Sequence, residues 1–457
     1  MTDQSFSPAQ QASAPEVPAE AREHIADLGA FVSASPSSYH AAAEVARRAE
    51  AAGFTLLAED AAWSVIGGGR YVVVRDGSVI VFTVPDAAGP TTRFTIVGAH
   101  TDSPGFKLKP KPTTHGAGGW WQAGVEVYGG PLLSSWLDRE LELAGRIVTH
   151  DGAEHLVRTG PMLRIPQLAV HLDRGVNDNG LTLDKQRHTQ PVWGLGDAQS
   201  ADVLAALAAD AGVDPATIGG YDVVLADTQP ARAFGAGQAL FASARLDNLL
   251  STHAGLTAIL GRVSSGVEPV ETRASTGSAT GGSIELFAAF DHEEIGSESR
   301  SGAAGPFLEE VLVRISTALG ASPEERAQAF AASLHVSSDV GHAVHPNYPE
   351  RHDPANRPVA GGGPILKINA NQRYATDAHG AAAWNVACRG AGVPTQEFVS
   401  NNAMPCGSTI GPISATRLGI RTVDVGVAIL SMHSARELTA VVDPWYLMRA
   451  MAAVLAR

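Results

Sequence analysis

At 457 residues the chain is longer than a single hydrophobic core usually organises, so two domains, or one large domain with an insertion, are expected. Hydrophobic residues make up 44% and charged residues 18%, the balance of a well-buried globular protein, and a formal net charge of −14 argues against nucleic acid or an anionic membrane surface as partner. Cys388 and Cys406 are too few for a disulfide framework and no apolar run approaches the roughly 18 residues of a membrane span, so a reducing cytoplasm is the expected location.

Residues 1–20, rich in Ser, Ala, Pro and Gln, lack the basic and apolar regions of a secretory signal and read as a disordered leader. Residues 21–52 read as helical, with Ile25, Leu28, Phe31 and Val32 on one stripe. Short apolar strands follow over 71–74, 79–82 and 94–97. From 107 to 236 the chain is rich in Pro, Gly and turn residues, with alternating stretches such as 140–144 and 168–172 and one helical segment near 201–211, the composition of a β-rich unit. Beyond 244 strands and helices alternate again: helix over 249–260, strands over 284–290, 334–337 and 365–368, helix over 378–389, strand over 423–429 and a closing helix over 445–455. The simplest account is an α/β domain, residues 21–106 and 237–457, split by a β-rich insertion of about 130 residues. The Thr, Ser, Ala and Gly run over 272–282 reads as a mobile surface loop of the main domain.

The chemistry concentrates where apolar strands end. Asp291-His292-Glu293-Glu294 directly follows the run 284–290. Two adjacent carboxylates at the end of a buried strand lose hydration unless something compensates them. A metal ion can compensate one, and proton transfer gives the other a task. Taken alone the run is a solvated acidic turn. Four more segments carry matching groups: His100, with Asp102 two residues on and able to orient it, then Asp247, Asp339 and His433. Each has a plainer meaning by itself, and Asp247 alone reads as the N-cap of the helix that follows. Together two histidines and three carboxylates form a mixed N/O set suited to two divalent ions, which sit about 3.5–4 Å apart around one bridging carboxylate and activate a shared water. Only one of Glu293 and Glu294 can comfortably ligate, which leaves the other as base.

The segments around these residues are long and ordered: His100 to Pro104, Arg245 to Asn248, Asp291 to Ser297, Asp339 to Tyr348, Lys367 to Tyr374 and Met432 to Glu437. They resemble the aspartyl aminopeptidase family of dinuclear zinc exopeptidases, from about residue 21 to the C-terminus. The resemblance implies a three-layer α/β/α zinc-exopeptidase domain interrupted by an inserted β-rich dimerisation domain. It implies His100, Asp247, Glu294, Asp339 and His433 as metal ligands, Asp247 bridging, with Glu293 as general base and Asp102 orienting His100. Two ions per subunit follow, zinc first and manganese or cobalt as alternatives. It also implies a homo-oligomer, a dodecamer built from dimers, in which His171 is lent to a neighbouring subunit's site.

Peptides are then the expected substrates. His342, three residues after Asp339, is placed to donate to the substrate carbonyl oxygen as it gains charge. Lys367 could hold an acidic side chain, although an exposed edge lysine is the commoner meaning. His292 and His345 read as stabilising their own turns. The leading expectation is a metallo-aminopeptidase preferring N-terminal Asp or Glu. A carboxypeptidase or deacylase on the same scaffold would need an anchor for a carboxylate, for which Arg373 is the candidate. A non-catalytic assembly or peptide-binding protein would be expected to have lost the base or a ligand, and here none is missing.

Overall fold

The computed structural model describes residues 17–265 and 282–457. Residues 1–16 of the expected leader and nearly all of the run 272–282 lie outside the described residues. The end of the leader is not irregular, because Ala19 and Glu20 already open the first helix, Ala19–Ala34, and Val17 is buried against it.

Among the described residues nine strands form the main sheet, in the spatial order Thr55–Leu56, Arg70–Arg75, Ser78–Thr83, Ile284–Phe290, Phe94–His100, Leu334–Ser338, Arg421–Gly426, Ile365–Lys367 and Gln396–Phe398. The four from Ile284–Phe290 to Arg421–Gly426 run parallel, so their carboxyl ends share one edge. Open α/β sheets place ligands at that edge. Alternation along these strands feeds two separate cores: Phe94, Ile96, Leu286 and Ala288 enter one, Val97, Ala99, Phe287 and Ala289 the other. The first is covered by helices Phe307–Ala318, Pro323–Ala331 and Ile410–Leu418. The second is covered by Ala19–Ala34, Ser38–Ala51, Leu246–Ser265, Ala378–Gly390 and Val442–Leu455. The result is a three-layer α/β/α arrangement. The helical run expected over 21–52 is broken at Pro36, which has no amide hydrogen to give, and Ser37 caps the second helix by accepting from the His40 amide at 3.4 Å.

A second, antiparallel sheet of six strands takes the order Glu154–Arg158, Leu141–Thr149, Ile218–Asp227, Gly105–His115, Trp120–Tyr128 and Val192–Leu195. Its core gathers Phe106, Trp136, Leu143 and Val223 with Leu207 of helix Val203–Ala211. The alternating stretch 168–172 is not a strand. Leu168, Val170 and Leu172 are 58%, 48% and 75% exposed, and among the described residues no strand takes up their amides and carbonyls. A small sheet of Arg232–Phe234, Leu240–Ser243 and Glu437–Ala440 ties the chain returning from the second sheet to the segment after His433. No helix of the described residues is long and apolar enough to cross a membrane.

Gly255 lets helix Leu246–Ser265 lie close on the main sheet, since a Cβ there would meet the ring of the fully buried Phe287 at 2.6 Å. Gly255→Val should overpack this layer and destabilise the fold by about 1–3 kcal/mol. A lowered thermal midpoint is the expected reading; an unchanged one would mean the helix can lift without loss.

Candidate active site

His100 ends strand Phe94–His100, Asp339 follows Leu334–Ser338, and Glu293 and Glu294 occupy a short helical turn, Glu293–Ile295, just past Ile284–Phe290. Asp247 stands at the start of Leu246–Ser265 with a backbone that is not helical, φ −81° and ψ 103°. His433 lies on a turn beyond Ala428–Ile429. Segments separated by more than three hundred residues thus converge at one edge of the sheet.

The side chains meet around Asp247. Its Oδ1 is 3.2 Å from His100 Nε2 and its Oδ2 is 3.4 Å from His433 Nε2. Asp339 Oδ1 lies 3.6 Å from His100 Nε2, and Glu294 Oε2 lies 3.6 Å from His433 Nε2. Three donor sets each fall within 4.8 Å: His100, Asp247 and Asp339 on one side, Asp247, Glu294 and His433 on the other, and His100 with Glu293 and Glu294 between them. Glu293 also approaches, its Oε2 3.9 Å from His100 Nε2. Asp247 is no helix cap: its buried Oδ1 has no hydrogen-bond partner.

Surrounding groups fix each side chain. Asp102 accepts from the amides of Glu293 at 3.0 Å and Glu294 at 3.1 Å, and from the Tyr128 hydroxyl at 2.8 Å. Its carboxylate lies 3.3 Å from His100 Nδ1, and its backbone carbonyl 3.1 Å from the same atom. Gly130 O lies 2.9 Å from His433 Nδ1, so Nε2 is the nitrogen turned to the cluster. Three residues that sequence reasoning did not single out matter here. Tyr128 and Gly130 come from the end of strand Trp120–Tyr128 in the second sheet. Glu437, buried, accepts from the Asp247 amide at 2.8 Å and from the His433 amide at 2.7 Å. Two glycines allow the close approach: a Cβ on Gly129, whose φ is +66°, would crowd Glu294, and one on Gly426 would strike the Asp339 carbonyl.

The electrostatics are those of a site short of positive charge. Burial, with Asp247 beside it, pushes the Glu294 carboxyl well above the usual range. Glu293 is pushed up to about 8, by burial first and by the neighbouring Asp339, Asp102 and Asp247, against the pull of His100. Burial disfavours charge on both imidazoles, yet the aspartates outweigh it: Asp102, Asp247 and Asp339 hold His100 well above its ordinary value, and Asp247 holds His433 at about 9. The buried Oε1 of Glu294, like Oδ1 of Asp247, has no hydrogen-bond partner. Orphaned carboxylate oxygens converging with two imidazole nitrogens fit a divalent cation.

The cluster opens into a pocket of about 520 Å³ that also takes in His342, Lys367, Tyr374 and Phe398. Lys367 is no exposed edge lysine. It is 2% exposed, donates to Val340 O at 2.8 Å and lies 3.8 Å from Asp339 Oδ2. His342 is exposed on the pocket wall, on Gly341–His342, which pairs with Ala428–Ile429. His171 is apart from this group, on an exposed turn that does not line the pocket. His292 is held to Ser299 Oγ at 2.8 Å, and His345 Nδ1 accepts from the Asn347 amide at 3.2 Å, both within their own turns.

Comparison with known proteins gives this geometry a family. Residues 31–453 match the family described as aminopeptidase I zinc metalloprotease (M18). The chain is 53% identical over 436 residues to a probable M18 family aminopeptidase 2 of Streptomyces avermitilis, covering 95% of this chain and 98% of that protein. It is 42% identical over 420 residues to a protein of the same description from Mycobacterium leprae, covering 90% and 94%. Among solved structures, a chain of the Ape4 and Nbr1 complex superposes with a TM-score of 0.88 at 34% identity, covering 97% of this chain and 88% of that one. The Saccharomyces cerevisiae mApe1 dodecamer gives 0.79 at 29% identity, covering 94% and 95%. An M18 aminopeptidase from Thermotoga maritima, 23% identical with a TM-score of 0.81 over 95% of this chain and 96% of that one, shares the fold. The chain belongs to the M18 family of zinc metalloproteases and is a metal-dependent aminopeptidase, removing residues from the N-terminus of peptides.

Proposed function

We propose that the site is dinuclear and that the enzyme prefers peptides beginning with Asp or Glu. The observation that carries the first part is Asp247, whose two oxygens face two different histidines in two donor sets. On this reading His100, Asp247 and Asp339 hold one ion and Asp247, Glu294 and His433 the other, with zinc as the expected metal and manganese or cobalt as substitutes. Bound ions of this kind lower the pKa of water and polarise the peptide carbonyl. Glu293, the more open of the adjacent pair with 15% of its side chain exposed against 6% for Glu294, takes the proton of the attacking water and passes it to the leaving nitrogen. Asp102 fixes His100 and, through two amide hydrogen bonds, the turn that carries both glutamates. His342 donates to the carbonyl oxygen as charge builds there.

Lys367 supports the acidic preference. Its ammonium has three donors; one is used on Val340 O and the Asp339 carboxylate lies 3.8 Å away, which leaves donor capacity for a substrate carboxylate. For the assembly, we read the region 107–236 as an inserted unit that makes dimer contacts and the protein as a cytoplasmic dodecamer. The mApe1 relative is a dodecamer, and in this chain Leu168, Val170 and Leu172 stand exposed on either side of His171. An apolar, exposed turn carrying a histidine suits insertion beside a neighbouring subunit's pocket.

Metal removal is the first test: chelation should abolish activity, and Zn²⁺, Mn²⁺ or Co²⁺ should restore it, with about two ions per chain by elemental analysis. Full activity in the metal-free protein would refute the reading. The adjacent glutamates should separate by phenotype. Glu293→Gln is expected to lower kcat at least about 100-fold with metal content retained, whereas Glu294→Ala should lose metal. The reverse pattern would exchange their roles. For specificity, kcat/KM on an N-terminal Asp substrate should exceed that on a Leu substrate, and Lys367→Met should collapse this ratio. A wild-type ratio at or below one would leave a broad aminopeptidase.

A further inference from the structure

Beside the active-site pocket lies a second one of about 410 Å³, and the two share His342, Phe398, Ser400 and Pro405 as a common wall. Lys367 and Tyr374 line only the first; His345, Arg351 and His352 line only the second. In a chain of net charge −14, whose donor cluster is crowded with carboxylates, no Asp or Glu of the described residues lines this second pocket. Its cation has little to hold it. Among the described residues Arg351 Nη1 meets only the Met404 sulfur, at 3.9 Å, and the nearest carboxylate, Glu350, is 3.9 Å from Nε with both side chains more than half exposed, where such a pair is worth little. The two histidines add donors. His352 Nε2 accepts from the His345 amide at 3.0 Å, and His345 Nδ1 accepts from the Asn347 amide at 3.2 Å. Each neutral ring therefore carries its hydrogen on the other nitrogen. Asn401, donating to the carbonyls of Glu350 and His352 at 3.2 Å each, pins the segment that carries Arg351.

We propose that this pocket receives a carboxylate of the substrate on the leaving side of the cleaved bond. The inference rests on the aminopeptidase reading and extends it: with the N-terminal residue held towards Lys367 and the scissile carbonyl at His342, the remaining peptide crosses the shared wall. An extended chain advances about 3.3–3.6 Å per residue, and on this placement a carboxylate a few residues beyond the bond enters the pocket that Arg351 lines. The guanidinium fork matches a carboxylate in two parallel hydrogen bonds. The enzyme would then favour short peptides with a free C-terminal carboxylate, or longer ones with an acidic residue near the cleaved bond.

The test compares three substrates sharing one N-terminal residue X: X-Ala-Ala as free acid, X-Ala-Ala-amide and X-Glu-Ala-amide, with the metal-loaded assembled enzyme. The free acid should exceed the amide in kcat/KM by about five-fold, mainly through KM, as an exposed charge-assisted contact allows. Arg351→Gln should bring that ratio to about one and Arg351→Glu below one, and a ratio is insensitive to any general loss of activity. A high value for X-Glu-Ala-amide as well identifies an acidic side chain as a source; a high value for the free acid alone identifies the C-terminus. A wild-type ratio near one for both carboxylate peptides, or ratios that the Arg351 variants leave unchanged, would overturn the subsite while hydrolysis of the amide persists. Failure to release X from any of the three would instead overturn the aminopeptidase reading, and the subsite with it.

Discussion

The structure depends on one carboxylate shared between two imidazoles. Asp247 is 4% exposed and surrounded by Glu293, Glu294, Asp339 and Glu437, a concentration of negative charge that no isolated fold would bury without compensation. Two histidines cannot neutralise it. The rest of the design follows from that shortage: the clustered side chains come from several strand ends, and each is fixed from behind. Asp102 and Glu437 do this by accepting from backbone amides, and Gly130 holds an imidazole through its carbonyl.

The site also belongs to both sheets. The main sheet supplies the carboxyl edge, but the hydroxyl on Asp102 and the carbonyl on His433 are delivered from Tyr128 and Gly130, at the end of a strand in the antiparallel sheet. The amide of Leu132 returns the contact by donating to the His433 carbonyl at 2.8 Å. A displacement of the second sheet would therefore be felt first in the orientation of His433 and in the carboxylate behind His100. That coupling ties the β-rich unit to the cluster within a single chain.

Much of this was legible in the sequence for one physical reason: a strand buried on both faces is an uninterrupted apolar run, so a His or carboxylate just beyond it stands out. His100, Asp339, Glu293 and Glu294 were visible in this way. Asp247 was not, because an aspartate before a helix has the same appearance whether it caps the helix or leaves it. Tyr128, Gly130 and Glu437 act through contacts with residues that are distant in sequence or through backbone groups, and neither leaves a pattern. Leu168 to Leu172 misled for the opposite reason, since alternation marks a strand only where a partner strand exists. Helix Pro323–Ala331, by contrast, carries a local start signal in the sequence, the capping box of Ser322 and Glu325.

Glu437 shows why a further buried carboxylate is tolerated beside so many others. Burial and Asp247 both act against its charge and push its carboxyl well above the usual range. What it returns is geometry. The buried amide of Asp247 would otherwise be a donor without an acceptor, at a cost of about 1–3 kcal/mol, and the part-buried amide of His433 would lose its partner as well. One carboxylate satisfies both, and because its two oxygens are rigidly spaced it also sets the distance between the two backbones. Glu437 begins the strand Glu437–Ala440, which pairs with Leu240–Ser243, the strand that leads into Asp247. Asp247 and His433 are thus referred to a single fixed point. A cluster assembled from segments hundreds of residues apart keeps its shape because these two members are both held by Glu437.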